Sequence, residues 1–317
     1  MNIVFSSDEN YAMQTCVSIV SMFENNKDVQ AIRVFILANG ITDDSQDKIR
    51  EVARNYNREV IFIDFTPYIQ DLLSKTQTDE ISTFARLYIP SVLPEDCHRV
   101  IYIDCDTLVC GSLKEMWETD LESKTTAGVL DTMAPYYKKA IDLEEDADYV
   151  NAGVLLIDLI QWRKEKIQET FFDYIRSKNG KVMFLDQGVI NAVLHDELMI
   201  LHPKYNVMTT FYVLDYKRMM YLYHMHTYYS ECDLKEACEQ PVIIHLTEGM
   251  LGDRAWQKGS KHPKHNLYKK YLSMTPWCGC LQDKRQLPIK TKMILWAQIH
   301  FPITLLKLLN MMKPPKN

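Results

Sequence analysis

Residues 99–113, RVIYIDCDTLVCGSL, decide the fold, because a strand-like apolar run ends there in two acids. Residues 100–103 favour a buried β-strand, and Asp104 and Asp106 follow it directly. Both carboxylates point the same way if the backbone stays extended, since side chains two residues apart share a face of a strand. Ligands of open α/β sheets bind beyond the carboxyl ends of the strands. The stretch therefore predicts an α/β protein with an acidic site at one edge of its sheet.

Apolar runs and amphipathic stretches alternate over most of the chain. The runs predict strands at 2–7, 31–38, 58–65, 99–104, 125–131, 149–158 and 241–246. The amphipathic stretches predict helices at 10–25, 42–56, 79–89, 159–178 and 186–195. This alternation implies a mostly parallel central sheet flanked by helices. Residues 202–240 show no clear period and are predicted to be irregular.

The composition excludes several classes of protein. The chain has 317 residues and a net charge of -6, which argues against a nucleic-acid partner. It contains neither GxGxxG nor the GxxxxGK-S/T pattern, the usual signatures of Rossmann dinucleotide sites and P-loop NTPases. The start NIVFSSDEN lacks the basic residues and apolar core of a signal peptide. The eight cysteines are therefore expected to be reduced thiols of a cytoplasmic protein.

The chain is predicted to form one domain over residues 1–277, followed by a basic, amphipathic segment over 278–317. Seven Lys or Arg residues against one acid lie in 281–317, around the apolar run ILWAQIHFPITLLKLL. Such a composition suits a helix in the headgroup region of an anionic membrane. The alternative is a final helix that packs on the domain with its lysines in solvent. No run of 18 apolar residues predicts a transmembrane span.

Asp104 and Asp106 predict a metal site. Two convergent carboxylates have raised pKa values unless a cation compensates them, and Mg²⁺ or Mn²⁺ is the simplest such cation. His245 ends the apolar run PVIIH in the same manner, and an imidazole ligand favours Mn²⁺ over Mg²⁺. The alternative is that the two acids cap nearby backbone amides.

The segment SSDENY, residues 6–11, is a candidate nucleotide site. Asp8, Asn10 and Tyr11 follow the first predicted strand and open a helix. A helix start with polar groups and one aromatic ring can hold a nucleotide base. The alternative is that Asp8 or Asn10 caps the helix.

Two further segments are candidates for sugar binding. In FLDQGVIN (184–191), a carboxylate and an amide stand at a helix start, where Asp186 could alternatively serve as the N-cap. In YVNAGVLLID (149–158), Asn151, Ala152 and Gly153 interrupt an apolar strand. A glycine within a strand often marks the close approach of a ligand or another backbone.

Taken in order, these segments resemble glycosyltransferase family 8, over about residues 2–277. The segments that carry the resemblance are IVFSSDENY, TFARLYIPSVLP, RVIYIDCDTLV, GVLD, YVNAGVLLIDL, FLDQGVIN and IIHL. The resemblance implies a GT-A fold and a metal held by Asp104, Asp106 and His245. It also implies donor contacts from Ser6, Asp8, Asn10, Tyr11, Arg86, Asp104, Cys105, Asp131, Asn151, Ala152, Asp186, Gln187 and Arg254.

One segment departs from the family pattern. The family usually has H-x-x-G-x-x-K-P-W after the metal-binding histidine, whereas this chain has HLTEGMLGDRAW, about three residues longer. Arg254 takes the place of the lysine, and Ala255 takes that of the proline. An arginine can still neutralise a diphosphate, with bidentate geometry.

The resemblance implies Mn²⁺-dependent transfer of galactose or glucose from a UDP-sugar to a glycan or glycolipid, with retention of configuration. Gln187 lies at the family position nearest the anomeric carbon, and Asp186 is beside it. An amide is a weak nucleophile, so same-face attack by the acceptor is predicted rather than a covalent intermediate. Cys105 is expected to point into the core and to tolerate substitution.

The implied setting is cell-surface polysaccharide or lipopolysaccharide synthesis at the inner face of a bacterial membrane. Two alternatives remain at this point. One is a catalytically silent UDP-sugar binder or membrane scaffold of the same fold. The other is a nucleotide-sugar pyrophosphorylase, although the glycine-rich, basic N-terminal loop of those enzymes is absent.

Overall fold

A computed structural model describes residues 1–78, 80–284, 286–301 and 303–304 of the chain. Its strands are β1 Asn2–Asp8, β2 Arg33–Asn39, β3 Glu59–Asp64, β4 Arg99–Ile103, β5 Thr107–Val109, β6 Thr126–Leu130, β7 Val150–Asp158, β8 Leu198–Ile200, β9 Val207–Met208 and β10 Ile243–His245. Its α-helices are α1 Ala12–Asn25, α2 Asp43–Asn55, α3 Thr66–Lys75, α4 Ile81–Phe84, α5 Ile89–Val92, α6 Lys114–Glu118, α7 Pro135–Lys138, α8 Leu159–Lys164, α9 Ile167–Ser177, α10 Leu185–Leu194, α11 Thr209–Val213, α12 Tyr216–Leu222, α13 Glu231–Glu239, α14 His265–Leu272 and α15 Ile289–His300.

The central sheet has the order β3-β2-β1-β4-β7-β6-β8. β7 runs antiparallel to both of its neighbours, and the other pairs are parallel. The predicted α/β class with a mostly parallel sheet is therefore confirmed. A second sheet, β5-β10-β9, lies beside it.

The reversed direction of β7 gathers the site at one edge of the sheet. Ile103 at the end of β4 pairs with Val154, so residues 151–153 at the start of β7 lie beyond the end of β4. The backbone N–H of Asp104 donates to the Gly153 carbonyl at 2.8 Å. Because β6 pairs antiparallel with β7, the carboxyl end of β6 reaches the same edge.

The second sheet supplies His245. In β10, His245 pairs with Thr107 of β5, one residue after Asp106. The histidine thus ends a strand, as the apolar run predicted, but the strand belongs to the smaller sheet. The turn between β4 and β5 is what brings Asp106 to it.

Alternating side chains of the central strands fill two apolar clusters, one on each face of the sheet. Ile3 and Ile101 contribute to the cluster that also contains α1, whereas Val4 and Tyr102 contribute to the other. This period of two is what a sheet covered by helices on both faces requires. The predicted layer arrangement follows directly from these burial patterns.

The predicted helix at 79–89 is divided into short pieces. α4 is followed by a 3-10 turn, Ala85–Tyr88, and then by α5, which has Pro90 in its first turn. The predicted helix at 159–178 is likewise divided, because Lys166 adopts a φ of 55° between α8 and α9. Amphipathic spacing continued through both breaks, so the sequence pattern alone did not indicate them.

The prediction that residues 202–240 are irregular was wrong. α11, α12 and α13 lie there, and Asp215 and Ser230 cap the second and third of them. Helices of five to nine residues make too few turns to show a clear hydrophobic period. Their capping residues were the better signal.

The C-terminal helix α15 contacts the rest of the chain and also exposes apolar side chains. Arg218 donates to the carbonyls of Gln298 and Phe301 at 3.0 and 2.8 Å, and Ile299 packs against the cluster around Met219. No helix among the described residues is long and apolar enough to cross a membrane. The remainder of the predicted segment, at 285, 302 and 305–317, lies outside the described residues.

Candidate active site

A cleft of about 480 Å³ opens at the edge of the sheet where β1, β4 and β7 meet. The predicted donor residues that line it are Ser6, Asp8, Tyr11, Arg86, Asp104, Cys105, Ala152, Asp186 and Gln187. Asn10 lines a neighbouring cavity, next to Trp277 and Gln282. Four further predicted residues form hydrogen bonds or ion pairs with residues that line the cleft. They are Asp131, Asn151, His245 and Arg254.

Asp104, Asp106 and His245 converge at one end of this cleft. Each offers a ligand atom, and these atoms all lie within 4.8 Å of one another. His245 Nε2 is 3.0 Å from Asp106 Oδ1 and 3.8 Å from Asp104 Oδ2. Two carboxylate oxygens and an imidazole nitrogen form a donor set that suits a divalent cation.

Protein cations compensate the two carboxylates from either side. Arg86 Nη2 lies 2.8 Å from Asp104 Oδ1, and Arg254 Nη1 lies 2.9 Å from Asp106 Oδ2. Burial opposes ionisation of Asp106, but His245 and Arg254 outweigh it and hold the pKa of Asp106 below its usual range. The ligand carboxylate is therefore ionised at neutral pH.

His245 is held by a buried amide on its other side. Its Nδ1 lies 3.1 Å from Asn206 Oδ1, and Asn206 is fully buried. An amide oxygen only accepts, so Nδ1 carries a proton and Nε2 is the nitrogen that faces the two acids. Nε2 donates to Asp106 Oδ1 at 3.0 Å when it is protonated, and it can offer its lone pair to a cation when it is not. Burial lowers the pKa of His245, but Asp106 and Asp104 outweigh it and raise the pKa.

Gly153 is required by this packing. A Cβ at that position would overlap the His245 ring and lie 2.8 Å from Asp104 Oδ2. The strand glycine thus marks the close approach of two metal-site side chains.

Arg86 links the metal end of the cleft to α10. It is 6% exposed, donates to the Ala152 carbonyl at 2.5 Å and lies 2.7 Å from Asp186 Oδ2 through Nε. Burial raises the pKa of Asp186 to about 6, although Arg86 acts in the opposite direction. The alternative of Asp186 as an N-cap was wrong, because α10 begins at Leu185 with Phe184 at its cap position.

A network of amides lies at the other end of the cleft. Gln187 Nε2 donates to Asp131 Oδ2 at 2.9 Å and to the Tyr149 hydroxyl at 3.1 Å. Gln187 Oε1 accepts from the Ala152 backbone N–H at 3.0 Å and from Asn151 Nδ2 at 3.2 Å. Asn151 Nδ2 also donates to Asp131 at 3.0 Å. Hydrogen bonds to both its oxygen and its nitrogen thereby fix the orientation of the Gln187 amide.

The predicted nucleotide segment follows β1. Asp8 accepts from the Tyr11 backbone N–H at 3.2 Å and caps a 3-10 turn, so the capping alternative holds for this carboxylate. Tyr11 lines the cleft and lies edge-on to Trp256, with ring centroids 6.0 Å apart. Trp256, two residues after Arg254, therefore packs against Tyr11 at the start of α1.

Cys105 directs its thiol to the end of β1, where it donates to the Ser6 carbonyl at 2.9 Å. Burial raises the pKa of this thiol to about 12. The group is protonated, but Cys105 is half-buried at the wall of the cleft and belongs to neither apolar cluster, so the expectation that it points into the core was wrong.

The sequence interpretation missed three residues that complete the site. Asn206 joins the two ends of the cleft, because its Nδ2 donates to Asn151 Oδ1 at 2.9 Å while its Oδ1 contacts His245. Tyr102 donates its hydroxyl to Asp104 at 2.8 Å, and Tyr149 contacts Gln187. Each tyrosine lies two residues before a predicted site residue, which was the available signal, whereas Asn206 lies in the stretch that was predicted to be irregular.

Comparison with known proteins agrees with this geometry. A sequence model described as glycosyl transferase family 8 matches residues 2–250. General stress protein A of Bacillus subtilis is 27% identical over 280 residues, which cover 87% of this chain and 94% of that protein. The lipopolysaccharide 1,2-glucosyltransferase of Escherichia coli is 26% identical over 282 residues, covering 87% and 79%.

A solved structure shares the fold. The galactosyltransferase LgtC, in complex with donor and acceptor sugar analogs, superposes with a TM-score of 0.72 at 23% identity. The match covers 92% of this chain and 98% of that one. At this identity the likeness supports the predicted GT-A fold.

Proposed function

The chain belongs to glycosyltransferase family 8, and on that premise we propose that it is a retaining, Mn²⁺-dependent hexosyltransferase. The donor is UDP-galactose or UDP-glucose, and the acceptor is a glycan or glycolipid of cell-surface polysaccharide or lipopolysaccharide synthesis. One observation carries the proposal. Three side chains that could hold a metal ion and the Gln187 side chain, which is bonded to Asp131, lie at two ends of a single cleft.

The metal end provides charge for the leaving group. When bound there, Mn²⁺ or Mg²⁺ supplies Lewis-acid stabilisation of a diphosphate. Arg254 already stands beside Asp106, so its guanidinium can add positive charge to the same group. Arg86 and the Tyr102 hydroxyl keep Asp104 oriented. Ser6, Asp8, Asn10 and Tyr11 are assigned to the nucleoside.

The amide end positions the sugar. Asp131, Asn151 and Gln187 present oxygens and N–H groups that suit sugar hydroxyls, and Gln187 is proposed to lie nearest the anomeric carbon. Asp186 is 2% exposed and ion-paired with Arg86, which argues against its acting as a nucleophile. Same-face attack by the acceptor is therefore preferred, with Asp186 holding Arg86 in place. Trapping of a glycosyl group on Asp186 would refute this route.

The C-terminal segment is proposed to contact the cytoplasmic face of an anionic membrane. α15 exposes Ile289, Met293, Ile294 and Trp296, and Lys290 and Lys292 lie among them. Apolar area beside basic residues is the combination that interfacial binding uses. Sedimentation with phosphatidylglycerol vesicles, and none with phosphatidylcholine vesicles, is the expected result.

A donor screen tests the proposed activity. Release of UDP from a panel of UDP-sugars is measured with Mn²⁺, Mg²⁺ or EDTA, and NMR of the product determines the anomeric configuration. We expect one hexose donor to dominate, loss of turnover in EDTA and an axial product from an axial donor. The Asp106→Asn variant serves as the negative control.

The screen also separates the second candidate, a silent UDP-sugar binder. Binding of UDP with Mn²⁺ but no turnover with any donor and acceptor would favour that candidate. The presence of all three side chains that could hold a metal ion favours the enzyme.

A further inference from the structure

A second large cavity lies away from the cleft, between α15 and the segment that precedes Arg254. It has a volume of about 560 Å³, within the range of small-molecule sites. One wall is residues 250–253, and the other is formed by Leu287 and the inner face of α15. Neither the proposed sugar transfer nor the metal site uses this space.

The cavity wall is mostly apolar. Its apolar side chains come from both walls and include Met250, Leu251, Leu287, Met293, Trp296 and Ile299. Trp296 is 56% exposed, so the aromatic ring stands at the opening rather than in the floor. The shape suits a hydrocarbon chain that enters beside an indole ring.

Basic groups also line this cavity. Lys261, Lys284 and Lys292 line the cavity, and Asp253 is the one acid among its lining residues. Lys284 Nζ lies 2.7 Å from Asp253 Oδ2, and that oxygen also accepts from the Lys261 backbone N–H at 2.9 Å. Lys292 has no ion-pair partner within the part of the chain that the structure describes. The lining therefore carries more positive than negative charge.

The two walls are in close contact beside Gly252. This residue has a φ of +66°, and a Cβ there would overlap Leu287 Cδ1 and lie 3.3 Å from Leu295 Cδ1. The segment after His245, which is longer than the usual family pattern, thus packs directly on the C-terminal segment. Arg254, which contacts Asp106, follows this wall by one residue.

We propose that this cavity binds one anionic phospholipid, with an acyl chain along the apolar wall and its phosphate near Lys261, Lys284 and Lys292. An amphiphile matches both halves of the lining, whereas a free phosphate ion leaves the apolar half unused and a neutral lipid leaves the charge of Lys292 uncompensated. The inference deepens the proposed membrane contact and rests on it. It differs from simple adsorption because it requires a discrete, saturable site.

The test uses short-chain lipids below their critical micelle concentration, so that no bilayer surface is present. Dihexanoyl phosphatidylglycerol is titrated into the full-length chain by isothermal calorimetry, with no sugar donor or metal. We expect saturable one-to-one binding. The phosphatidylcholine analogue should bind about tenfold more weakly, as expected for loss of charge complementarity. Inorganic phosphate should not bind measurably.

Two lysines of one helix provide matched variants. Lys292 lines the cavity, and Lys290 lies on the same helix outside it. Lys292→Gln should weaken phosphatidylglycerol binding about fivefold to tenfold, whereas Lys290→Gln should leave it unchanged. Thermal unfolding of both variants at the wild-type temperature establishes that neither has lost its fold.

Three outcomes would overturn the inference. They are equal weakening by both lysine variants, uptake that never saturates, and binding of inorganic phosphate as tight as that of the lipid. Because the titration contains no donor, an inactive enzyme would still bind the lipid. Failure of the proposed sugar transfer is therefore distinguishable from failure of the lipid site.

Discussion

The two ends of the cleft solve the same problem, the burial of polar side chains, in different ways. At the metal end, Asp104 and Asp106 are compensated by Arg86, Arg254 and the His245 ring. At the sugar end, buried amides and hydroxyls satisfy one another around a single carboxylate, Asp131. We call these the charged cluster and the amide network.

The difference predicts different behaviour. Ion pairs in the charged cluster can be exchanged, because a bound cation can replace an arginine as the partner of a carboxylate. The amide network is fixed by directional hydrogen bonds on both sides of Gln187, and it has no charged partner to exchange. The charged cluster is thus suited to ligands that come and go, and the amide network is suited to holding a reacting sugar in place.

The largest expected effect comes from removal of one charge in the charged cluster. Asp106→Asn deletes a predicted metal ligand and the partner of Arg254 while keeping the size of the side chain. Loss of leaving-group stabilisation of several kcal/mol corresponds to a decrease in kcat of about a thousandfold. Steady-state UDP release measures it. Asp64→Asn is the control, since Asp64 ends β3 at the same edge but outside the cleft. Near-normal turnover of Asp106→Asn would show that the charged cluster is not a metal site.

Substitution of Asn206 tests the connection between the charged cluster and the amide network. Asn206→Ala removes the acceptor that keeps the proton on His245 Nδ1, and loss of such a partner costs about tenfold to a hundredfold in metal affinity. Asn206→Asp keeps an acceptor for His245 Nδ1 but loses the donor to Asn151, so it should recover metal affinity without restoring the hydrogen bond to Asn151. Mn²⁺ titration monitored by electron paramagnetic resonance measures both variants.

If Asn206 acts only by positioning His245, its loss should lower kcat only through weaker metal binding. Saturating Mn²⁺ should recover most of the kcat of Asn206→Ala, whereas a general packing defect would leave it low at any metal concentration. Asn26→Ala is the matched control, because Asn26 is also fully buried and bonds backbone groups far from the cleft. An equal loss of metal affinity in that control would contradict the role of Asn206.

Arg254 shows whether the charged cluster depends on geometry or on charge alone. Arg254→Lys keeps the charge but loses the planar donor fork, and we expect a decrease in kcat/KM of about tenfold. Arg254→Ala should cost more. If the lysine variant is fully active, a point charge is sufficient, as the lysine of the usual family pattern would suggest.

Much of the fold and of the charged cluster could be predicted from local sequence patterns. Asp104 and Asp106 directly follow a strand, and the apolar run before them shows in the sequence where that strand ends. Arg86, Asp131 and Arg254 came only from the resemblance to the family, because no local rule assigns a role to a single charged residue.

The connections between segments could not be predicted. Asn206 is separated by 39 residues from His245 and by 55 from Asn151, and the pairing of β9 with β10 places it beside His245. The breaks around Pro90 and Lys166 likewise depend on backbone angles that apolar spacing does not encode. Tertiary contacts decide both.

The smallest expected effect concerns a histidine just outside the charged cluster. His262 Nδ1 accepts from the Lys264 backbone N–H, so its Nε2 donates to Thr209 Oγ1 at 2.8 Å, and Thr209 donates to the Thr247 carbonyl at 2.7 Å. Burial, with Arg254 nearby, lowers the pKa of His262 to about 4, whereas the acids around His245 raise the pKa of that residue. The two environments therefore shift the pKa of a histidine in opposite directions.

The lowered pKa makes stability depend on pH. Because the folded pKa lies below the unfolded value of 6.5, neutral His262 contributes stability above pH 6.5 that is lost as pH falls towards about 4. The unfolding free energy should decrease by about 1 kcal/mol by roughly pH 6 from this group. His262→Gln, whose amide can still donate to Thr209, should remove that part of the decrease in urea titrations. The exposed His195→Gln is the control for loss of a surface histidine. Identical profiles for the two variants would mean that His262 is not held neutral, and that Arg254 does not extend the influence of the charged cluster to this side of the fold.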